Sequence, residues 1–131
     1  MKSKQVLLVD DNQEFLRAAA RFILCGVPGF SLTGTATSGA QAIEIVAAHH
    51  PDLVLMDLAM PGMNGFEATR RIKQENDAPQ VIIATLRDYP TYRVLAKDAG
   101  ADGFLLKGDF VTELPRLINS LFATIARTGT K

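Results

Sequence analysis

Only one cysteine, Cys25, stands among the 131 residues, so no internal disulfide can form. Its place after Phe22-Ile23-Leu24 suits a small buried hydrophobe better than a reactive thiol. Cys25 and the adjacent His49 and His50 make no cluster at any recognisable zinc spacing. Net charge is missing as well. Fourteen basic and fourteen acidic residues cancel, which removes the electrostatic reason to expect a surface for nucleic acid. No window approaches the ~18 apolar residues of a membrane helix. The basic start Met1-Lys2-Ser3-Lys4 is followed by an apolar stretch that Asp10 stops short of the roughly 7–15 residues of a signal core. These absences point to a cytoplasmic chain with no membrane segment and no nucleic-acid contact of its own. Internal repeats, low-complexity tracts and blocks of like charge are also lacking.

What is present is alternation. The chain is 47% hydrophobic and 21% charged, long enough for one domain with a real core and too short for two. Short apolar runs alternate with longer amphipathic segments, the pattern of strand–helix units that feed a parallel sheet covered by helices. Five such units fit, which gives an α/β, doubly wound, five-stranded parallel sheet flanked by five helices. Phe15, Ala18, Ala19, Phe22 and Ile23 recur at helical spacing up to the break at Gly26-Val27-Pro28-Gly29. Phe30 to Thr37 reads as a weaker second strand with Gly34 inside it. Ser38 then caps a helix whose apolar face uses Ala42, Ile43, Val46 and Ala47.

The third strand is expected from Asp52 to Asp57, followed by a Pro- and Gly-rich loop and a helix from about Gly65 to Asn76. Pro79 separates that helix from the fourth strand. A short helix from Tyr92 to Ala99, closed by Gly100, precedes a fifth strand from Phe104 to Lys107. Leu114, Leu117, Ile118, Leu121, Phe122 and Ile125 trace the stripe of the last helix. Pro115 belongs near its start, so Thr112 is the expected cap and Glu113 the expected first turn; a start at Phe110 would need a kink. The domain is then residues 1–124, with 125–131 a frayed tail or the start of a linker.

Four apolar runs end in residues that phosphoryl chemistry uses: Asp10 and Asp11, Asp57, Thr85, and Lys107. In adjacent parallel strands they meet at the carboxyl edge of the sheet, where open α/β sheets bind ligands. Clustered carboxylates repel by about 4 kcal/mol per pair at ~4 Å and an effective dielectric near 20. A hard divalent cation with oxygen ligands relieves this, which points to Mg2+ over Zn2+. A carboxylate beside Mg2+ and a lysine can also attack a phosphoryl group, and Asp57 is the best placed. Thr85 offers a hydroxyl to a phosphoryl oxygen, and Lys107 a positive point charge.

Singly, each residue has a plainer reading. Asp10 and Asp11 could cap a helix, Asp57 and Thr85 could be strand-end residues, and Lys107 a surface charge. Their case is collective. His49 and His50 suit the end of the second helix, where cations favour the dipole. Met60, Met63 and Phe66 read as packing, Arg70, Arg71 and Arg93 as solvated faces, and Tyr92 equally as an exposed recognition residue or a half-buried one.

In this order the residues resemble the receiver domain of two-component response regulators, over roughly Lys4 to Ala123. Four motifs carry the resemblance: Val9-Asp10-Asp11, the run from Leu55-Met56-Asp57-Leu58-Ala59 through Met60-Pro61-Gly62-Met63-Asn64-Gly65, Ala84-Thr85, and Leu105-Leu106-Lys107. The resemblance implies a flavodoxin-like sheet of order 2-1-3-4-5. It implies that Asp57 accepts a phosphoryl group from a phosphohistidine on a sensor histidine kinase or phosphotransfer protein. It further implies that Asp10, Asp11, Asp57 and the backbone carbonyl of Ala59 hold Mg2+, and that Thr85 and Phe104 form a switch pair. The output surface would be the fourth helix, fifth strand and fifth helix. A homodimer formed on phosphorylation and transcriptional control through an effector domain outside this chain are further implications, and a free-standing receiver is the alternative. No separate enzyme activity is implied, beyond assistance to its own phosphoryl acceptance and loss.

Departures from the family pattern cluster near the site. Leu86 replaces a small residue and should narrow access for small phosphodonors, while Arg87 and Ala59 stand at positions that tune phosphoryl lifetime. Gly108 replaces a frequent proline, so the backbone after Lys107 should be looser. Phe104 lacks a phenolic oxygen. An interaction module that keeps the fold without the chemistry is a second reading. A flavodoxin-like nucleotide or flavin binder is a third, opposed by the acidic Asp10-Asp11-Asn12-Gln13-Glu14 where a phosphate loop would lie. A haloacid-dehalogenase-type phosphatase would need one residue between its first two aspartates, and here they are adjacent.

Overall fold

The apolar runs pair side by side because the central ones can bury both of their faces. A computed structural model describes residues 3–129, with side chains through residue 122. Among these residues the strands are β1 (Lys4–Val9), β2 (Phe30–Ala36), β3 (Leu53–Asp57), β4 (Gln80–Thr85) and β5 (Gly103–Leu106). They form one parallel sheet of order β2-β1-β3-β4-β5, as expected. The chain steps outward from β1 to β2 and then returns past β1 to β3. The crevice at the carboxyl ends of β1 and β3 is therefore the topological switch point.

Neighbouring residues of each strand face opposite sides of the sheet. On one side Val6, Leu8, Leu53, Leu55, Ile82 and Leu105 pack against α1 (Gln13–Gly26) and α5 (Phe110–Gly129). On the other, Leu7, Val9, Val54, Met56, Val81 and Ile83 pack against α2 (Gly39–His49), α3 (Gly65–Ile72) and α4 (Pro90–Asp98). Fully burying each such side chain contributes roughly 1.5–3 kcal/mol, which holds both helical layers to the sheet. Ser38 caps α2 by accepting from the Gln41 N–H, as its sequence position suggests. Asn12 and Asn64 do the same for α1 and α3, so Asp10 and Asp11 are not needed as caps.

Several boundaries differ from the sequence reading, each for a local reason. β3 begins at Leu53; Asp52 instead brackets β1, accepting from the Gln5 N–H at 2.8 Å and donating its own N–H to the Gln5 carbonyl. α3 stops at Ile72, where the N–H groups of Gln74 and Glu75 bond only three residues back. Lys73, next in line, reaches the Pro79 carbonyl at 2.9 Å and Asp102 at 2.8 Å. α4 starts at Pro90, ahead of Tyr92, because proline fits the first helical position. β5 ends at Leu106, and Lys107 opens a 3-10 turn, Lys107–Asp109.

That turn runs directly into α5, so the helix begins at Phe110 with Pro115 inside it, instead of near Glu113. The start is fixed by Phe110, a buried ring packed edge-on against Phe15 and Phe22. Thr112 is not a cap; its hydroxyl donates to the Asp109 carbonyl. Cys25 is exposed, because α1 turns Ile23 inward and leaves the next two residues outside. Gly34 marks a bulge, where the β1–β2 register slips between Val6 and Leu7. α5 runs through Gly129, so 125–129 continue the helix where a frayed tail or linker was expected; residues 130–131 and the Ile125 side chain of the α5 stripe lie outside the described residues.

Candidate functional site

The end of β1 places two carboxylates differently. Asp10 donates its N–H to the Ala36 carbonyl at 3.0 Å and turns its side chain inward, 1% exposed; Asp11, the next residue, is exposed. Asp10 Oδ1 accepts from the Asn12 N–H at 2.9 Å. Asp57 is the last residue of β3 and Thr85 the last of β4, both buried. Lys107 follows β5 directly. The sheet thus delivers all five strand-end residues to one edge.

The Lys107 ammonium is shared by two carboxylates, with Nζ 2.9 Å from Asp57 Oδ1 and 2.5 Å from Asp10 Oδ2. The Asp10 contact is an ion pair without hydrogen-bond alignment, so this buried oxygen has no hydrogen-bond partner. Burial favours the neutral amine of Lys107, but the close carboxylates of Asp10 and Asp57 outweigh it and hold the lysine above its ordinary value. Asp57 is pushed up, chiefly by burial and further by Asp10 and Asp11, against the downward pull of Lys107.

One oxygen each from Asp10, Asp11 and Asp57 lies within 4.8 Å of the others. Three carboxylates face one ammonium, and a buried Asp10 oxygen lacks a hydrogen bond. This all-oxygen donor set fits a hard cation such as Mg2+. Beside it is a cavity of about 260 Å³ lined by Asp57, Ala59, Thr85, Leu86, Arg87 and Lys107, among others. Leu86 lies at this cavity, 78% exposed, and it also borders a second apolar cavity against Phe15 and Gly108. Thr85 Oγ1 accepts only a long bond, 3.4 Å, from the Arg87 N–H.

Phe104 is not among the cavity-lining residues. It is half-buried in the α4 side of the core with the Arg93 guanidinium 4.5 Å over its ring, and Arg93 also pairs with Asp88 at 3.4 Å. Arg93, read from the sequence as a solvated face, therefore covers an aromatic ring; its position in α4 gave no sign of this. Tyr92 follows the half-buried one of its two readings, edge-on to Phe66 and Tyr89, and it also lines the cavity. His49 and His50 close α2 away from the site, as expected.

Two further contributors escape sequence reasoning. Gly65 donates its N–H to the Leu58 carbonyl, and a Cβ there would sit 2.1 Å from the Asp57 carbonyl oxygen. The glycine thus lets α3 begin directly against the residue that carries the central carboxylate. Phe15 lies under Lys107, with Nζ 4.7 Å from the ring centroid. Its helical spacing in the sequence spoke only of packing.

A family profile described as the response regulator receiver domain matches residues 6–119. Response regulator UvrY of Escherichia coli O6:H1 is 37% identical over 118 residues, 90% of this chain and 54% of that protein. The nitrate/nitrite response regulator protein NarL of Escherichia coli strain K12 is 34% identical over 102 residues, 78% of this chain and 47% of that protein. The chain thus spans about half the length of these curated relatives. Among solved structures, the receiver domain of a NarL from Mycobacterium tuberculosis superimposes with a TM-score of 0.85 at 29% identity, covering 92% of this chain and 97% of that one. A LuxR-family two-component response regulator from Aurantimonas gives 0.85 at 30% identity, covering 94% and 87%.

Proposed function

Since the chain belongs to the response regulator receiver domains of two-component systems, we propose that Asp57 accepts a phosphoryl group from a phosphohistidine on a sensor histidine kinase or phosphotransfer protein. The observation that carries this reading is the Lys107 ammonium shared between the buried carboxylates of Asp10 and Asp57, with Asp11 alongside. Such a group can attack phosphorus only if the charge on the transferring oxygens is offset. Lys107 supplies one positive charge from 2.9 Å. Asp10, Asp11, Asp57 and the Ala59 carbonyl are the residues that would hold Mg2+, which when bound supplies the remaining positive charge. Thr85, buried at the neighbouring strand end with only a long bond to occupy its hydroxyl, is free to donate to a phosphoryl oxygen.

Acceptance leaves the lysine–Asp57 contact altered, because the new phosphoryl oxygens compete for the same donors. Thr85 moving toward them vacates space behind β4, and Phe104 repacks with it; this links the site to the surface of α4, β5 and α5. Output through that surface suits transcriptional control by an effector domain outside this chain, with a homodimer formed on phosphorylation, in the cytoplasm. One relative named above is a nitrate/nitrite response regulator, and the effector is assigned by likeness to such regulators alone.

Intact mass after incubation with acetyl phosphate and Mg2+ tests the reading. One phosphoryl adduct is expected on the wild type and none on Asp57→Ala. An adduct that persists in Asp57→Ala, or none on the wild type even with a matched kinase, overturns it and favours an interaction module.

A further inference from the structure

The ring beneath Lys107 belongs to a cluster of three aromatic side chains. Phe15 and Phe22 of α1 grip Phe110, the first residue of α5, edge-on, with centroids 5.3 Å and 5.8 Å away. Phe110 is only three residues beyond Lys107, so one short segment carries both the ammonium and the ring that wedges Phe15 in place. Phe15 in turn presents its ring to Lys107 Nζ, 4.7 Å from the centroid. The lysine side chain is 9% exposed, so little water competes for that contact.

An ammonium has three N–H donors. Its ion pairs with Asp10 and Asp57 take up two sides of it, and the negative face of an aromatic ring attracts the third. Without that face the ammonium is free to settle toward Asp10, the nearer of its two partners, and away from Asp57. A leucine would fill much of the same space but has no quadrupole to oppose this drift.

On the reading that Asp57 is the phosphoacceptor, we propose that Phe15 is a positioning residue for phosphoryl transfer, its ring face holding the Lys107 ammonium where it meets the transferring phosphoryl oxygens. In the step concerned, a carboxylate oxygen of Asp57 bonds to phosphorus as the bond from phosphorus to the acetate oxygen of acetyl phosphate breaks. Acetate leaves with the electron pair. The lysine gains most from correct placement as charge redistributes in that step, so the effect falls on the maximal rate more than on donor half-saturation.

The test compares phosphorylation rates across acetyl phosphate concentrations, by intact mass at saturating Mg2+, for wild type, Phe15→Leu, Phe15→Tyr and Phe22→Leu. Phe15→Leu should lower the maximal rate about tenfold, the equivalent of 1.4 kcal/mol, within the range of desolvated cation–ring contacts. Half-saturation and Mg2+ affinity by calorimetry should stay unchanged. Phe15→Tyr, which keeps a ring face, should restore the rate. Phe22→Leu removes a ring from the same aromatic cluster without touching Lys107, and should leave the rate intact whatever its effect on melting temperature. A wild-type rate in Phe15→Leu, or an equal loss in Phe22→Leu, overturns the proposal while leaving Asp57 as acceptor. Absence of any adduct on the wild type overturns the functional reading itself, and the proposal with it.

Discussion

At Asp57 burial, reinforced by Asp10 and Asp11, holds the carboxyl above its ordinary value of 3.8 despite Lys107. Folded protein therefore binds this proton more tightly than unfolded chain, and the stability linked to it is fully present below 3.8 and lost as pH rises through the raised folded value. In metal-free protein, Asp57→Asn should be the more stable form at neutral pH, with its advantage shrinking as pH falls. Urea unfolding of both proteins from about pH 7 to 4 reads this directly, and a gap independent of pH would contradict it. Lys107 is raised as well, so its contribution carries the same sign in a higher window. Its raised value means that its ion pairs persist through neutrality and are lost only as pH rises past 10.5 to the folded value. Thr69 shows a smaller residue-scale cost. Its hydroxyl is fully buried without a partner, so Thr69→Val should stabilise the fold by about 1 kcal/mol in the same assay.

The connection from β3 to α3 is the element on which the site depends most. The Gly65 N–H reaches back to Leu58, and a methyl group at Gly65 would overlap the Asp57 carbonyl. Gly65→Ala should cost roughly 3 kcal/mol or more by denaturant unfolding, because backbone atoms must move to admit it. It should also slow phosphorylation by displacing Asp57. A loss below about 0.5 kcal/mol, the range of neutral surface changes, would show that the loop yields freely. Helix ends were where the sequence misled most. Pro115 pointed to a start near Glu113, but the burial of Phe110 extends α5 back to the 3-10 turn. A proline rule is local, and the ring that overrides it packs against α1 residues nearly a hundred positions earlier.

For the whole molecule, the sheet order and its switch point were legible because parallel strands buried on both faces leave continuous apolar runs. Asp10, Asp11, Asp57, Thr85 and Lys107 were legible for the same reason, as the polar residues that end or follow those runs. What lay hidden depends on contacts across the fold: Phe15 under Lys107, Arg93 over Phe104, and Gly65 against Asp57. None leaves a periodic trace. The carboxylate cluster couples the site to global stability, since a cation that binds folded protein alone stabilises it by mass action. At one hundred times its dissociation constant Mg2+ should add about 2.7 kcal/mol, and Asp57→Asn should show a smaller gain; no rise in the unfolding midpoint with Mg2+ would count against the metal assignment.

The most direct test of the central claim is to trap the acyl phosphate with borohydride, which reduces a phosphorylated aspartate to homoserine, and to locate the change by fragment mass. The account predicts homoserine at position 57 alone, formed with acetyl phosphate and Mg2+ and absent when the metal is chelated. Reduction at Asp10 or Asp11, or an unmodified position 57, would contradict it.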